Sequence, residues 1–520
     1  MSRKKLPIGI QTFREIREDD CYYVDKTAFA LRLIREGKVY FLSRPRRFGK
    51  SLFLDTLAEL FAGNEPLFRG LFCHDQWDWQ TKYPVIRISF AEGIMGSRAG
   101  LDARIHRILA ENERRLGVPE GEGDIPDRFI DLIQSAEARF GQRVVILVDE
   151  YDKPILDNLT HPELAREMRD GLRNLYSVIK GQDAHVKFAF LTGVSKFSKV
   201  NIFSGLNNLM DITLSPAFSN ICGYTDADVD TIFAPELEGL DRDQIRHWYN
   251  GYNWRGEAVY NPFDLLLLFR EREFRSFWFE TGTPTFLVDM LTERKVYLPT
   301  LLKVESSSEL ISAFEVGDIS TEALMFQSGY LTIAGEENLD GNIMFMLTYP
   351  NHEVRSALSG SVMDAWIGNP RKAEQSRFAL YDALEVNDFE QVREVFHSLY
   401  AGIPNDWFRR NDIDRFEGYY ASVFYASFAA LGLDIVPEDV SSQGRLDMTI
   451  RFNAQVYLFE FKVVEGEVEG RALQQIREKG YAEKYRALDQ PIHLIGVEFS
   501  KKERNVVGFE VSMVDALPSH

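Results

Sequence analysis

Val39-Tyr40-Phe41-Leu42-Ser43-Arg44-Pro45-Arg46-Arg47-Phe48-Gly49-Lys50-Ser51 decides the reading of the first part of the chain. An apolar run of strand character leads into a loop ending Gly-Lys-Ser, and the helical pattern Leu52 to Phe61 follows. Strand, loop and helix in that order form the context a P-loop requires. Backbone N–H groups at the helix start, Gly49 among them, can point at phosphate. Lys50 can reach the β- and γ-phosphates and the Ser51 hydroxyl can ligate Mg²⁺. The full motif has glycine six residues before Lys50, where this chain has Arg44. Arginine adopts left-handed dihedrals only at a cost, so a differently shaped loop is expected, with Arg46 and Arg47 lending charge.

Three further apolar runs extend the pattern: Val85 to Phe90, Val144 to Val148 and Phe188 to Leu191. All are nearly continuous, as strands buried on both faces should be. Amphipathic helical stretches such as Gly100 to Leu116 and Glu163 to Ile179 separate them. The alternation predicts a parallel sheet flanked by helices over residues 1–215. The third strand ends in Asp149-Glu150; Asp149 would hold Mg²⁺ and Glu150 would polarise the attacking water. The fourth ends in Thr192, placed to sense the γ-phosphate or hold that water. No arginine finger can be assigned.

Around this core the chain has 520 residues, with 60 Lys+Arg against 79 Asp+Glu and a net charge of −19. The length suggests about three domains. The 13% aromatic content excludes general disorder, and the acidic balance excludes coating of nucleic acid through bulk positive charge. Three scattered cysteines and nine histidines without HExxH give no support to a disulfide framework or a zinc site. The start, MSRKKLPIGIQTF, lacks the apolar core of a signal peptide, and apolar runs of about five residues fall far short of the roughly 20 needed to span a bilayer. A cytoplasmic protein without membrane contact is expected. Residues 216–370 read as a mainly helical lid or linker, including a helix start at Asn261-Pro262-Phe263-Asp264. Residues 371–520 read as a third, α/β unit, itself acidic with 18 Lys+Arg and 25 Asp+Glu.

That last unit contains a second chemical site. In Gly444-Arg445-Leu446-Asp447-Met448-Thr449-Ile450-Arg451-Phe452-Asn453-Ala454-Gln455-Val456-Tyr457-Leu458-Phe459-Glu460-Phe461-Lys462, two strand-like runs flank Asn453-Ala454. A turn centred there pairs Met448 with Phe459 and Ile450 with Tyr457 on one apolar face. Asp447 then stands opposite Glu460 on the other face, with Lys462 two residues on. Directly opposed like charges destabilise a hairpin, and a divalent cation between them removes the conflict. Hard oxygen ligands suit Mg²⁺ or Mn²⁺. Lys462 beside them can orient a nucleophile and stabilise charge building on phosphorus. Glu465, Glu467 and Glu469 read as an exposed acidic stretch.

Several segments together resemble the bacterial and archaeal AAA-ATPase-like proteins that carry a C-terminal PD-(D/E)XK nuclease domain. They are Leu6 to Ile10, Tyr23 to Thr27, Arg44 to Leu52, Leu147 to Asp152, Thr192 to Ser198, Trp248 to Tyr252 and Phe279 to Pro284. The resemblance makes Arg44 a family trait, and it identifies Asp447 with Glu460-x-Lys462 as the nuclease signature. By the same resemblance Glu417 matches an extra helical acid that joins the metal ligands, although it reads equally well as a helix-surface carboxylate. Gln475 matches the glutamine of a following helix. Trp248-Tyr249-Asn250-Gly251-Tyr252 has no chemical reading of its own and suggests a turn tucked onto a core. The whole implies an ATP-binding and hydrolysing module coupled to an Mg²⁺-dependent nuclease acting on nucleic acid, DNA before RNA, with homo-oligomerisation left open. The rival reading is a nucleotide switch whose nuclease fold serves binding alone.

Overall fold

Residues 3–196, 206, 208–280, 285–294, 296–312, 320–403, 417–441 and 443–514 are described by the structure, a computed structural model. The chain divides into two units, residues 1–282 with 303–351, and residues 283–302 with 352–520. The stretch 216–370, expected as one middle region, thus contributes to both.

In the first unit the four anticipated strands form: β1 (Val39–Ser43), β2 (Val85–Ser89), β3 (Val144–Asp149) and β4 (Val186–Gly193), joined by the two-residue β5 (Met210–Asp211). They make a parallel sheet in the order β2-β3-β4-β1-β5. Every residue of β1 is buried, as is β3 up to its terminal Asp149, so the uninterrupted apolar runs reflect cover on both faces. The connecting helices begin and end where the sequence provides caps. Ser97 accepts from the Gly100 N–H at the start of Arg98–Leu116, and Gly117 closes that helix in the left-handed region. Beyond the sheet, Asn261 caps Pro262–Glu271, whose Leu265 and Leu268 are fully buried in a second apolar core with Tyr249 and Phe233. The sequence did not disclose a three-stranded sheet, order β6-β8-β7, made by β6 (Val304–Ser307), β7 (Thr332–Leu339) and β8 (Asn342–Thr348). Most of β7 is exposed and polar, so it lacks the alternation that marks a half-buried strand.

The second unit carries a mixed sheet of β9 (Asp434–Ser441), β10 (Gly444–Phe452), β11 (Gln455–Val464), β12 (Ile492–Ser500) and β13 (Asn505–Val514), in the order β13-β12-β11-β10-β9. Only β11 and β12 run parallel, and the helix Arg471–Lys479 lies between them in the chain. The β10–β11 hairpin has the anticipated register, with Met448 opposite Phe459 and Ile450 opposite Tyr457. Its two turn residues, Asn453 and Ala454, have φ of 48° and 54°, the handedness a two-residue turn between right-twisted strands demands. One face of β11 packs Phe459 and Phe461 against Phe424 of the helix Glu417–Ala430. The other packs Val456 and Leu458 against Leu473 and Ile476. No helix among the described residues is long and apolar enough to cross a membrane.

Candidate functional site

The P-loop sits at the C-terminal edge of the parallel sheet, where β1 lies between β4 and β5. Gly49 takes φ 89° at the start of the helix Lys50–Phe61, a conformation that favours glycine even though a side chain would meet no neighbour. Arg44 resolves the question its position raised. It is fully buried, donates from Nη1 to the carbonyls of Ser43 (2.8 Å) and Thr213 (2.9 Å), and from Nη2 to those of Phe218 (3.2 Å) and Ser219 (3.4 Å). Its guanidinium lies 4.1 Å from the centre of the Trp254 ring. Burial pulls its pKa down to about 10. The arginine therefore anchors the base of the loop. The left-handed step falls on Arg47 instead, at φ 70°. Arg46 and Arg47 are exposed, with Arg47 lying 4.8 Å over Phe263.

The Trp248 to Tyr252 motif is tucked onto a core, as expected, with Tyr249 buried beside Leu265 and Leu268, and its Tyr252 braces this loop together with Trp254 and Trp278. Phe48 stands edge-on to Tyr252 (4.7 Å) and to Trp254 (5.3 Å), and the Trp278 indole donates to the Arg46 carbonyl at 3.2 Å. Gly251, at φ 125°, leaves no room for a side chain, since a Cβ would lie 1.8 Å from the Pro350 carbonyl oxygen.

Lys50 is buried and donates to the carbonyls of Arg44 (2.9 Å) and Pro45 (2.8 Å). Burial lowers its pKa, with the charge of Asp149 opposing. Asp149, at the end of β3, accepts from the Glu150 N–H at 3.0 Å. Glu150 is half-buried at φ 50°, and its pKa is raised first by burial and then by Asp149. Thr192 is fully buried and its hydroxyl donates to the Leu42 carbonyl at 2.9 Å, tying β4 to β1. Asp152, to which the sequence assigned no role, is buried and accepts from the N–H groups of Val194 (3.0 Å) and Ser195 (2.6 Å) and from the Ser195 hydroxyl (2.6 Å). It locks the end of β3 to the end of β4. Half-buried Ser51 and Asp149 offer a hydroxyl and a carboxylate, a donor set that fits Mg²⁺.

In the second unit, Glu460 is 1% exposed in the middle of the sheet. Its Oε1 accepts from Lys462 Nζ at 3.1 Å and from Gln475 Nε2. Its Oε2 is buried and has no hydrogen-bond partner among the described residues. Burial, reinforced by the charge of Asp447, pushes its pKa up to about 7. The ladder of paired residues stops at Met448 and Phe459; one step on, Asp447 uses its Oδ2 to accept the Phe461 N–H at 2.7 Å. An orphaned buried carboxylate oxygen beside a second carboxylate is a donor set that fits a hard divalent cation. Among the described residues no group of three or more His, Cys, Asp or Glu converges for a metal. Glu417 begins the helix Glu417–Ala430, and its side chain lies outside the described residues. Glu465, Glu467 and Glu469 are exposed, as expected.

Sequence reasoning missed Tyr297 and Glu498. The half-buried Tyr297 phenol has its pKa raised by burial and then by the charge of Asp447, so it shares the field of that carboxylate. Nothing in Val296-Tyr297-Leu298-Pro299 announces it. Glu498 is buried near the end of β12 and accepts backbone N–H groups.

A nucleotide-site fold in one unit and a nuclease-type sheet in the other define the class. The chain belongs to the AAA-ATPase-like family with a C-terminal PD-(D/E)XK nuclease-superfamily domain: residues 7–203 match the model described as predicted AAA-ATPase, and residues 415–509 match that of the PD-(D/E)XK nuclease superfamily. Over 512 residues it is 63% identical to an uncharacterized protein in the vnfD 5′ region of Azotobacter chroococcum mcd 1, covering 98% of this chain and 99% of that protein.

Proposed function

We propose that this protein is a nucleotide-driven nuclease: an ATP-binding and hydrolysing unit coupled to an Mg²⁺-dependent unit that cuts phosphodiester bonds, in DNA before RNA. The observation that carries the reading is Glu460, whose buried Oε2 has no hydrogen-bond partner among the described residues, next to Asp447, Lys462 and Gln475. Such a group costs stability unless it is protonated or holds a cation, which favours a ligand at this position.

In the first unit Lys50 leaves the Arg44 and Pro45 carbonyls for the β- and γ-phosphates, helped by Arg46, Arg47 and the N–H of Gly49. Ser51 and Asp149 hold Mg²⁺ with the nucleotide. Glu150, whose raised pKa makes it a stronger base than a surface glutamate, takes the proton of the attacking water. Thr192, its buried hydroxyl committed to the Leu42 carbonyl, supports the strand ends beneath the site without touching phosphate. In the second unit Asp447 and Glu460, with Glu417, hold Mg²⁺ or Mn²⁺. A bound cation of this kind supplies Lewis-acid polarisation of the phosphate and its water. Lys462 would orient an attacking water and stabilise negative charge on the phosphoryl oxygens, and Gln475 fixes the Glu460 carboxylate. With a chain charge of −19, substrate grip is local and depends on metal.

Purified protein incubated with plasmid and linear DNA, with Mg²⁺ or chelator and with or without ATP, tests the reading. Metal-dependent cleavage that disappears in Glu460→Ala is expected. Absence of cleavage by the wild type, or equal cleavage by that variant, would overturn it.

A further inference from the structure

Glu498 is 2% exposed, and in the parallel register of β11 and β12 it lies beside Lys462, as Gly496 lies beside Glu460. Its carboxylate points at the start of the helix Arg471–Lys479. Oε1 accepts the N–H groups of Arg471 (2.7 Å) and Ala472 (3.4 Å), and Oε2 accepts that of Glu469 (2.6 Å). The residue at the helix N-cap is Gly470, which has no side chain with which to cap. The cap therefore comes from a different strand. An ionised carboxylate suits the task because both oxygens accept and neither donates; an amide would turn an NH₂ toward one of these N–H groups. The positive end of the helix adds a favourable field.

Gly496 completes the seating. A Cβ there would lie 2.3 Å from the Leu473 nitrogen and 2.8 Å from its Cα, so the helix backbone rests directly on β12. Gly496 thus sets how close the helix comes to the sheet, and Glu498 sets its position along its own axis. With both fixed, Gln475 reaches Glu460 and donates to Oε1.

We infer that Glu498 is a positioning residue of the metal centre, holding the helix Arg471–Lys479 so that Gln475 is aimed at Glu460. The inference rests on the metal-dependent reading of that centre given above. Among the described residues, Glu498 itself bonds only to backbone N–H groups.

The test uses the full-length chain as Glu498→Gln, Gln475→Ala and the double variant. Mn²⁺ affinity is read by electron paramagnetic resonance, and plasmid cleavage is read in Mn²⁺. Each single change is expected to weaken Mn²⁺ binding about 10- to 100-fold, the usual effect of removing an outer support. The double variant should be no worse than the weaker single, because the two residues act in series. Gly496→Ala lifts the same helix without removing charge, and it should give the same loss, again without adding to Gln475→Ala. It keeps the inference testable if Glu498→Gln folds poorly. Wild-type Mn²⁺ affinity in Glu498→Gln, or losses that multiply in the double variant, would overturn the positioning role while leaving the nuclease reading intact. Non-additive losses of Mn²⁺ binding in a protein that cleaves nothing would sink the nuclease reading and uphold the positioning. A wild type that binds no Mn²⁺ overturns both.

Discussion

Replacing Glu460 by glutamine is expected to stabilise the metal-free protein at alkaline pH and to leave it nearly unchanged at acid pH. Glu460 titrates at about 7 in the fold against 4.5 as a free side chain, chiefly because it is buried and secondly because Asp447 is near. Between those values the folded chain holds a proton that the unfolded chain has lost. Stability therefore falls as pH rises through this window, and above about 7 the whole cost is present. A difference of roughly 2.5 units corresponds to about 3 kcal/mol. Glutamine keeps the acceptor that meets Lys462 and Gln475 while removing the charge. For a unit of this size, about 3 kcal/mol moves the melting temperature by roughly 6–12 °C. Scanning calorimetry in chelator from pH 5 to pH 9 should show the two proteins converging at pH 5 and the variant melting higher at pH 8. Added Mg²⁺ should raise the wild-type transition at pH 8 and leave the variant's in place. A gap between the two proteins that is the same at pH 5 and pH 8 would refute the reasoning, as would an equal Mg²⁺ shift in both.

Other perturbations have equally definite outcomes. Gly251→Ala drives a methyl group into the Pro350 carbonyl at a left-handed φ, so it should cost about 3 kcal/mol or more and weaken ATP binding together with the melting temperature. Ala454→Gly relieves an alanine held at φ 54° and should stabilise the second unit by about 1 kcal/mol, seen as a higher melting transition without change in the first unit's nucleotide response. Lys50→Ala should erase the thermal shift given by ATP, which for the wild type at 100 times Kd is about 2.7 kcal/mol, while leaving Mn²⁺ binding at Glu460 untouched.

The buried strands β1 to β4 and the β10–β11 hairpin were legible because their signals are local: uninterrupted apolar runs in one case, alternation about a two-residue turn in the other. The register followed from the turn alone as far as Met448 and Phe459; just past it Asp447 accepts the Phe461 N–H, and its charge acts on Glu460, which meets Lys462. Position along the chain could not give partners. The resemblance marked Arg44 as a family trait but not what it holds: Thr213, Phe218, Ser219 and Trp254 surround it, all more than 160 residues away. Glu498 and Asp152 were illegible for a related reason: each serves backbone N–H groups contributed by other elements, and a carboxylate's backbone partners leave no mark in the sequence. Tyr297 was hidden because residues 283–302 belong to the second unit although the flanking segments belong to the first.

Seating the loop on aromatic rings has an optical consequence. Trp254 lies against the Arg44 guanidinium and Trp278 holds the Arg46 carbonyl, while the ammonium of Lys50 is bonded to the carbonyls of Arg44 and Pro45. Withdrawal of that ammonium toward a phosphate changes the charge environment of two indoles at once. On the proposed nucleotide reading these indoles are native reporters of the loop, and an ATP titration should change tryptophan emission without any label. A Trp254→Phe variant would separate the signal of one indole from that of the other.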